Sequence, residues 1–435
     1  METKFKETPI GKIPEDWEVV RLGDVADFYR GYSYRSSDLS TRPTKLRFIT
    51  INDFEKEGGI KTNAEHLYLR EDIQIDEKFC LRENDILIAN TDMSKGFIIG
   101  APLRISKTLT ESANKLIYSM DLTKLVLKTE KVSPEFLFYF LSWGKIRRIM
   151  KTYAQGTNVL HLNHNLAKTL NVTLPPLPEQ KKIAEILSTV DKAIEKVNEA
   201  IARTERLKKG LMQELLTKGI GHTEFKDTEI GRIPKEWEVV RLEEVVVSYK
   251  NGIYKPRKYY GRGYPCIRMY NIVNGYINKI DAPLLEVTKQ ELEEYGLKEG
   301  DIVINRVNTP ELVGKAGLVP PNFGKATFES KNIRIRLNTT RMLPNFFTIF
   351  AQTEKYFRQI RSFAKTAVAQ ATITQKDLDN LKIPLPLLHE QQKIAEILST
   401  VDKKLELERK RKDKLERIKR GLMNDLLTGR RRVKV

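Results

Sequence analysis

The residues best suited to chemistry are basic, aromatic and amide side chains on short glycine-containing loops, as in Arg30–Arg35 and Lys250–Arg262. Arginine and lysine bind phosphate oxygens and fix the position of a protein on a duplex. Arginine, asparagine and glutamine can also form paired hydrogen bonds with the edges of guanine and adenine. These loops therefore predict contact with nucleic acid, and a solvated surface is the alternative for any single residue.

The polar loops recur as corresponding pairs along the chain. The pairs are Arg30–Arg35 with Lys250–Arg262, Asn90–Lys95 with Asn305–Thr309, and Gln155–Asn158 with Lys365–Gln370. The predicted contact residues in and beside these loops are Arg30, Tyr32, Tyr34, Arg35, Asn90, Asp92, Lys95, Gln155, Thr157, Asn158, Lys250, Asn251, Tyr254, Lys255, Arg257, Lys258, Tyr259, Arg262, Arg268, Arg306, Asn308, Lys365, Thr366 and Gln370. Because the paired loops differ in sequence, we expect the two sets to read different bases.

Residue patterns for catalysis are missing from the sequence. It contains neither a Gly-x-x-x-x-Gly-Lys-Ser/Thr phosphate-binding loop nor a Gly-x-Gly-x-x-Gly segment after a strand. His161 and His164 are three residues apart, but no further metal ligand accompanies them. We therefore predict no catalytic residue, no metal and no cofactor on this chain.

The charge balance indicates a polyanionic partner. The 435-residue chain carries 76 Lys and Arg against 57 Asp and Glu, a net charge of +19. Such an excess is typical of proteins that bind nucleic acid, although a lysine-rich surface that serves solubility is the alternative. No apolar run approaches membrane-spanning length, and no apolar signal core follows Met1. Cys80 and Cys266 fit free thiols in a reducing cytoplasm better than a disulfide.

Two long segments, Pro178–Thr217 and His389–Thr428, repeat each other without a gap at an offset of 211 residues. Their apolar residues are spaced four and three apart, which predicts helices with a coiled-coil seam. The seam residues are Ile183, Leu187, Val190, Ile194, Val197, Ile201, Ile394, Leu398, Val401, Leu405, Leu415 and Leu422. About 40 residues at a rise of ~1.5 Å each predict rods of roughly 60 Å.

Glycine occurs at two kinds of place in these rods. Gly219 and Gly429 lie just past the helical pattern, where glycine commonly ends a helix. Gly210 and Gly421 lie inside the pattern at matching places, at a cost of about 1 kcal/mol each relative to alanine. We predict that this second pair marks a helix crossing or a partner contact, with tolerated substitution as the alternative.

A second repeat shows that the whole chain is a duplication. Thr8–Leu22 returns as Thr228–Leu242 at an offset of 220 residues. The predicted organisation is globular domains at residues 1–174 and 219–385, spacer helices at 175–218 and 386–429, and a basic tail at 430–435. Strands and helices mix within each globular part, so the predicted fold class is α+β, with two tandem mixed α/β domains and internal pseudo-two-fold symmetry.

Within each globular domain we predict short strands followed by a helix. Leu116–Leu127 is predicted as strand throughout, and Pro134–Lys151 and Pro344–Phe363 as helices that begin at proline. Trp17 and Trp237 are predicted to lie in the core.

The rods match between the copies, whereas the loops differ. If both copies share a task, the rods do the common part, and two unlike half-sites are read at a separation that the rods fix. A coiled-coil adaptor whose globular ends bind protein is a second hypothesis. A fused enzyme with an unrecognised site, such as a nuclease, is a third.

The whole chain resembles the DNA specificity subunit of type I restriction-modification systems. The resemblance rests on Ile-Pro-x-x-Trp-Glu-x-x-x-Leu at the start of each domain, on Pro-Leu-Pro-Glu-Gln-Lys-Lys-Ile-Ala before the first rod, and on the duplicated rods. The second rod starts differently, with His389 and Gln392 where the first has Pro178 and Lys181.

This resemblance implies two target-recognition domains held apart by an antiparallel pair of long helices. Each domain would read one half of a split, asymmetric site in double-stranded DNA. The subunit itself would be non-catalytic. Two adenine methyltransferase subunits, which use S-adenosylmethionine, would dock on it, and ATP-driven restriction subunits would join them.

Overall fold

The structure, a computed structural model, describes residues 4–56, 58–61, 65–92, 98–111, 113–367 and 369–434. The chain folds into two compact units, Met1–Asn198 with Lys410–Val435, and Glu199–Arg409. Each unit therefore contains one globular domain and a part of both long helices.

The first globular domain and its helix contain fifteen strands and six helices among the described residues. The strands are β1 (Phe5–Lys6), β2 (Ile13–Pro14), β3 (Glu18–Arg21), β4 (Ala26–Arg30), β5 (Leu39–Ser40), β6 (Leu46–Ile49), β7 (Leu67–Leu69), β8 (Ile86–Ala89), β9 (Thr91–Asp92), β10 (Pro102–Arg104), β11 (Lys115–Tyr118), β12 (Leu122–Leu127), β13 (Ala154–Gln155), β14 (Leu160–Leu162) and β15 (Asn171–Leu174). The helices are α1 (Leu22–Val25), α2 (Lys107–Glu111), α3 (Pro134–Ser142), α4 (Gly144–Thr152), α5 (His164–Lys168) and the long α6 (Leu177–Lys218).

The second half of the chain has a similar order, with sixteen strands and five α-helices among the described residues. Its strands are β16 (Phe225–Lys226), β17 (Ile233–Pro234), β18 (Glu238–Arg241), β19 (Val246–Asn251), β20 (Tyr260–Ile267), β21 (Ile272–Val273), β22 (Tyr276–Ile277), β23 (Leu284–Leu285), β24 (Ile302–Asn305), β25 (Val307–Asn308), β26 (Ala316–Leu318), β27 (Thr327–Phe328), β28 (Asn332–Leu337), β29 (Lys365–Ala367), β30 (Gln370–Thr372) and β31 (Lys382–Leu385). Its helices are α7 (Lys289–Tyr295), α8 (Pro344–Phe350), α9 (Glu354–Phe363), α10 (Gln375–Asp379) and the long α11 (Leu388–Leu426).

A sheet that is apolar on both faces organises each domain. In the first domain the strand order is β10-β8-β12-β4, and neighbouring strands are antiparallel. Ile86 of β8 lies in the core that includes α3, whereas the next residue, Leu87, lies in a second core. The second domain has the order β19-β28-β24-β26-β22-β21, with Ile302 and Val303 divided between two cores in the same way. Successive side chains point to opposite faces of a strand, so both strands need an unbroken apolar run.

The helix predicted at 134–151 is two helices in the structure. α3 and α4 are separated by Trp143, whose φ of −64° and ψ of 128° are extended. Its indole nitrogen donates a hydrogen bond to the side chain of Asn424 at 2.7 Å. The prediction for 344–363 is wrong in the same way, because this segment also forms two helices. α8 ends at Phe350, and the side chain of Thr353 caps the start of α9 by accepting a hydrogen bond from the backbone N–H of Tyr356.

The strand predicted at 116–127 is also divided. It forms β11 and β12, which belong to different sheets, and residues 119–121 turn the chain between them. The corresponding turn in the second domain is 329–331, between β27 and β28. We call 119–121 and 329–331 the bridging turns, because two loops of each domain bind to them.

The recurring Glu at the start of each long helix has one role in both units. Glu179 is buried and accepts a hydrogen bond from the Trp17 indole at 3.2 Å. Glu390 is buried and accepts one from the Trp237 indole at 2.8 Å. Both tryptophans lie in the core, as predicted. A buried carboxylate needs such donors, which explains why the Trp and Glu segments recur together.

The glutamine that follows each Glu ties the helix start to its globular domain. Gln180 accepts a hydrogen bond from the backbone N–H of Ser133 at 2.9 Å. Gln391 accepts one from the backbone N–H of Leu343 at 2.8 Å. Ser133 and Leu343 are the residues immediately before α3 and α8, so each glutamine fixes a long helix against the helix of its domain.

Within each unit, the start of one long helix packs beside the end of the other. Ile183 shares a core with Leu426 in the first unit, and Ile394 shares a core with Leu215 in the second. The paired segments are therefore antiparallel, and all predicted seam residues are buried or half-buried. The predicted fold class is confirmed.

The same ion pair occurs once in each unit at this helix packing. In the first unit, Lys419 Nζ lies 2.6 Å from a carboxylate oxygen of Asp191. In the second unit, Lys208 Nζ lies 2.7 Å from a carboxylate oxygen of Asp402. The offset of 211 residues relates both lysines and both aspartates, so the duplicated sequence preserves a specific contact.

The rod glycines behave in two ways. Gly219 and Gly429 have φ angles of 64° and 66°, which confirms their predicted helix-ending role. Gly210 and Gly421 are exposed, and a Cβ atom added to either would meet nothing described within 4 Å. A close crossing of the chain's own helices at these glycines is therefore wrong. Partner contact there stays a prediction.

The residues predicted as a basic tail include a side chain that is bound to the first domain. The guanidinium of Arg432 donates to Asp16 at 2.9 and 2.8 Å and to Glu179 at 2.8 and 2.9 Å. Hydrogen bonds to Glu179 and Asp16 raise the pKa of Arg432, and the hydrogen bond from Arg432 lowers the pKa of Asp16. In the second unit His222 has this role, with Nε2 3.0 Å from an oxygen of Glu390. We call the contact of Arg432 with Asp16 and Glu179 the C-terminal latch.

Replacing Arg432 by alanine should destabilise the first unit by about 1–3 kcal/mol, because the buried Glu179 loses its charged donor. Thermal unfolding measures the change, with Arg430→Ala as the matched control, since Arg430 is exposed and pairs only with Asp425 in the described contacts. Asp16 has a lowered pKa when folded, so its contribution is present above its unfolded value, 3.8, and is lost as pH falls through the lower folded value. The difference from wild type should shrink in acid; a difference that grows there would contradict the latch.

Candidate nucleic-acid interface

Three segments of each domain converge at one end of the main sheet. The first loop, 30–35 or 250–262, begins at the end of β4 or β19. The second loop, described at residues 90–92 and 305–309, lies at the end of β8 or β24. The third segment is the hairpin β13–β14 or β29–β30. The second loop and the hairpin join in one three-stranded sheet, β13-β14-β9 or β25-β30-β29. The structure therefore brings together the loops that the sequence singled out in pairs.

The first loop of the first domain is held by backbone hydrogen bonds to the bridging turn and its flanks. The N–H of Gly31 donates to the carbonyl of Leu122 at 3.1 Å, and that of Tyr32 to Tyr118 at 2.8 Å. The N–H of Met120 donates to the carbonyl of Tyr32 at 2.9 Å. We call this set of bonds the backbone frame.

The second domain has the same backbone frame, bond for bond. The N–H of Gly252 donates to the carbonyl of Asn332 at 3.0 Å, and that of Ile253 to Phe328 at 2.9 Å. The N–H of Ser330 donates to the carbonyl of Ile253 at 3.0 Å. The two domains therefore hold loops of unlike sequence in one orientation.

Glycine is required where the loop enters this frame. A Cβ atom on Gly31 would lie 2.2 Å from the carbonyl oxygen of Ser119, and one on Gly252 would lie 2.1 Å from that of Glu329. Both distances are far below van der Waals contact, and the opposing atoms belong to the backbone. Only glycine lets the loop approach the bridging turn so closely.

In the first loop of the first domain, the predicted residues divide into two groups. Arg30 and Arg35 are exposed. Tyr32 and Tyr34 are half-buried, and their rings lie 6.5 and 4.8 Å from the ring of Phe48. Burial raises the pKa of Tyr34. The arginines can reach a duplex, whereas the tyrosines support the loop from inside.

The second loop of the first domain does not present its predicted residues to solvent. Asn90 and Asp92 are 2% and 3% exposed. The amide oxygen of Asn90 accepts a hydrogen bond from the hydroxyl of Thr123 at 2.8 Å and lies 3.0 Å from Nε2 of His164. Burial lowers the pKa of His164, which favours a neutral ring. Direct contact through Asn90 and Asp92 is therefore corrected to internal support, and Lys95 lies outside the described residues.

The hairpins, in contrast, carry their predicted residues on the surface. Gly156 has a φ of 122°, and a Cβ atom there would lie 2.1 Å from the carbonyl oxygen of Val159, so this turn is tight. The exposed hairpin residues are Gln155, Thr157 and Asn158 in the first domain and Lys365, Thr366 and Gln370 in the second.

Acidic residues at 286–294 pair with basic residues of the first loop in the second domain. The pairs are Lys250 with Glu294, Lys255 with Glu291 and Arg262 with Glu286. The side chain of Lys255 is only 12% exposed, whereas that of Arg262 is 77% exposed. Lys255 therefore fixes the loop, and Arg262 remains able to reach a phosphate.

The middle of this loop is more open. Tyr254 is 80% exposed, and Arg257 and Lys258 are exposed beside it in the chain. Tyr259 is half-buried, with Nζ of Lys255 4.8 Å from its ring centroid. The middle of the loop thus exposes the ring of Tyr254 and the cations of Arg257 and Lys258. Lys255 and Tyr259 are held against the rest of the domain.

Asparagine residues link the loops of the second domain. Asn251 is exposed and accepts a hydrogen bond from the side chain of Gln375 at 3.1 Å. Asn308 is half-buried and donates to the side chain of Asn305 at 2.7 Å. Asn251 can contact a ligand directly, whereas Asn308 shapes the second loop.

Two predicted arginines are held at the bridging turn of the second domain. The guanidinium of Arg268 lies 5.2 Å from the ring centroid of Tyr260 and 3.6 Å from a carboxylate oxygen of Glu329. Burial raises the pKa of Glu329. Arg306 donates to the carbonyl of Ser330 at 3.5 Å. Both arginines are half-buried and position the turn at the edge of the interface.

The sequence reasoning missed three features of the interface. The bridging turn at 119–121 lies inside a predicted strand, the one at 329–331 lies in no predicted element, and the acidic partners at 286–294 lie outside the predicted loops. Ser33 is exposed, although the sequence criteria favour the flanking tyrosines. Aligning Gly31 with Gly252 pairs Ser33 with Tyr254, and this was the signal that could have found it.

The described ranges also bear on metal sites and membrane-spanning segments. Within them, no group of His, Cys, Asp and Glu could hold a metal ion, and no helix is long and apolar enough to cross a bilayer. Cys80 and Cys266 are both buried free thiols. Burial raises the pKa of Cys266 to about 11, which makes its thiolate scarce at neutral pH.

The fold and the interface together define a duplicated recognition protein, with one loop surface on each domain. The sequence matches the family described as type I restriction modification DNA specificity domain over residues 14–204 and 234–417. These ranges cover more than half of the chain, and the chain therefore belongs to this family.

Individual relatives agree with this assignment. The chain is 31% identical over 450 residues to the specificity subunit of the type I restriction enzyme MjaVIII of Methanocaldococcus jannaschii, covering 100% of this chain and 97% of the relative. It is 24% identical over 410 residues to the EcoKI specificity subunit of Escherichia coli K12, covering 90% and 82%. Among solved structures, an S subunit from M. genitalium matches with a TM-score of 0.58 and 16% identity, covering 98% of this chain and 99% of that one.

Family membership decides between the hypotheses drawn from the sequence. Specificity subunits are the non-catalytic DNA-recognition components of type I restriction-modification systems. The chain is such a component, with two DNA-recognition domains, and it is not the catalytic subunit. The fused-enzyme hypothesis is therefore set aside.

Proposed function

We propose that each globular domain reads one half of a bipartite, asymmetric site in double-stranded DNA. The observation that carries the proposal is the backbone frame, which both domains share while they display different side chains. One frame gives both loops the same orientation, and unlike side chains select unlike bases. The contacting residues in this proposal are the exposed Arg30, Arg35, Gln155, Thr157, Asn158, Asn251, Tyr254, Arg257, Lys258, Arg262, Lys365, Thr366 and Gln370.

In this proposal the long helices set the spacer between the half-sites and carry the partners. The partners are two S-adenosylmethionine-dependent methyltransferase subunits and ATP-dependent restriction subunits. The proposal is supported by an exposed surface that recurs on both helices. Leu207 and Ile418 are 54% and 42% exposed, and each lies three residues before an exposed glycine, Gly210 or Gly421. Exposed apolar residues beside a glycine allow a partner helix to approach closely.

Mapping methylated adenines tests the proposed function. The chain is expressed with the methyltransferase subunits of its own system in a host that lacks other adenine methylation. We expect methylation at one motif of two unlike parts with a constant spacer. Methylation that does not depend on this chain, or a continuous motif without a spacer, would contradict the proposal.

Binding should weaken steeply with salt, because each phosphate contact contributes about −0.9 to the slope of log Kobs against log salt concentration. Replacing the exposed Arg257 by alanine should make this slope less steep by about 0.9, the contribution of one phosphate contact. Titration of labelled DNA at several salt concentrations measures it. Lys298→Ala is the control, since Lys298 is also exposed but precedes β24, at the end of the strand away from the second loop. Equal slopes for Arg257→Ala and wild type would remove Arg257 from the interface.

A further inference from the structure

The shared backbone frame makes two single residues equivalent, Ser33 in the first domain and Tyr254 in the second. Each follows the residue whose N–H and carbonyl are both bound by the frame, Tyr32 or Ile253. Ser33 and Tyr254 are therefore the first side chains that extend beyond the frame in each domain. Both are exposed.

In the first domain, both neighbours of Ser33 are anchored. The rings of Tyr32 and Tyr34 lie 6.5 and 4.8 Å from the ring of Phe48. Successive side chains of an extended chain point to opposite sides. With Tyr32 and Tyr34 packed inward, Ser33 between them faces solvent.

In the second domain, both neighbours of Tyr254 are anchored by different chemistry. Ile253 is 5% exposed and belongs to a small core with Cys266. Nζ of Lys255 donates to the carbonyl of Glu286 at 3.0 Å. The contacts that hold the neighbours differ between the domains, but in both an exposed residue, Ser33 or Tyr254, lies between two residues that are held in place.

Tyr254 is the more informative member of the pair. The residue is 80% exposed, so its ring contributes little to the core. A single exposed ring is common on proteins. This ring, however, projects from a backbone that is fixed on both sides, and such preorganisation lowers the entropic cost of binding. Arg257 and Lys258 follow closely and are exposed, so the ring lies among cations suited to DNA phosphates.

We propose that the position shared by Ser33 and Tyr254 determines specificity, with Ser33 reading the first half-site and Tyr254 reading the second. This inference rests on the proposed function. A serine hydroxyl donates to or accepts from base edges, whereas a tyrosine ring makes an apolar contact with a thymine methyl in the major groove. The frame delivers one position to both half-sites, and the side chain there selects the base.

Variants at this position test the inference in the full chain with its methyltransferase subunits. Binding is measured to DNA libraries in which one half-site at a time is randomised. Tyr254→Ser should lower the preference at one or two base pairs of the second half-site by about 5- to 100-fold and leave the first half-site unchanged. Ser33→Tyr should change the first half-site alone. Tyr254→Phe should keep the preference, because the ring makes the contact.

The matched control is Val247→Ser, since Val247 is 69% exposed near the opposite end of β19. It should leave both half-sites unchanged. If wild type itself shows no two-part preference, the proposed function fails. If wild type shows it and Tyr254→Ser only weakens all sequences equally, the inference alone fails, because a uniform loss indicates a backbone contact. Loss of preference in Tyr254→Phe would overturn the assignment to the ring.

Discussion

Replacing Gly31 by valine should abolish specific binding of the complete site, with an affinity loss of about 100-fold or more, about 2.7 kcal/mol. The new Cβ atom would lie 2.2 Å from the carbonyl oxygen of Ser119 and 2.4 Å from that of Tyr118. Because the opposing atoms are backbone, the first loop must leave its frame. A displaced loop cannot present Arg30 and Arg35 where a duplex would meet them.

The measurement is a titration of the complete site and of DNA that lacks the first half-site. Binding to both should become equal in Gly31→Val, since only the first domain is disturbed. Gly144→Val is the matched control, because Gly144 is in the same domain and has no described atom within 4 Å of a Cβ atom. Retained preference for the complete site in Gly31→Val would show that the backbone frame does not position the loop for recognition.

Lengthening both long helices by one heptad should abolish modification of the native site and create a new one. Seven residues add ~10.5 Å of helix. At ~3.4 Å per base pair, the spacer should grow by about three base pairs. Insertion after Asn198 and after Arg409 leaves each unit intact, because the two units divide there. A heptad keeps the apolar seam in phase.

The measurement is again the methylated motif. Both half-sites should stay as in wild type, and only the spacer should change. A control variant in which seven residues at each place are replaced without a change in length should keep the native spacer. Altered half-sites with an unchanged spacer would contradict the role of the helices as a ruler.

The long helices could be predicted from the sequence because their signals are local and repeated. Four-and-three spacing of apolar residues, a helix-ending Gly219 and a matching Gly429 are read within a few turns, and the structure has helices at both places. The break at Trp143 could not be read this way. Trp143 at this break donates a hydrogen bond to Asn424, 281 residues away, and no local pattern reports a contact at that distance.

Only part of the interface could be predicted from the sequence, because the exposure of a loop residue also depends on segments that are distant in the chain. Residue type and loop position indicated Gln155 and Arg35, which are exposed. The same criteria indicated Asn90, whose amide is buried against Thr123. The sequence shows that an amide side chain follows a strand. It does not show whether another element packs over the end of that strand and buries the amide. For Asn90, the cover is β14 together with α5, which carries His164.

The C-terminal residues show that a run of like charges can include a side chain bound within the fold. The sequence predicts a basic tail that contains three consecutive arginines at 430–432. Arg432 is instead bound by Asp16 and Glu179. The partners lie 416 and 253 residues away in sequence, and a run of like charge hides which of its members is paired.

Exchange of the first recognition domain is the most direct test of the proposal that each domain recognises one half-site. Residues 1–170 are replaced by the corresponding domain of a relative with a different target, and methylated adenines are mapped in a host that also expresses the methyltransferase subunits. The account predicts a new first half-site, an unchanged second half-site and an unchanged spacer. Changes in both half-sites, or retention of the original first half-site, would contradict it.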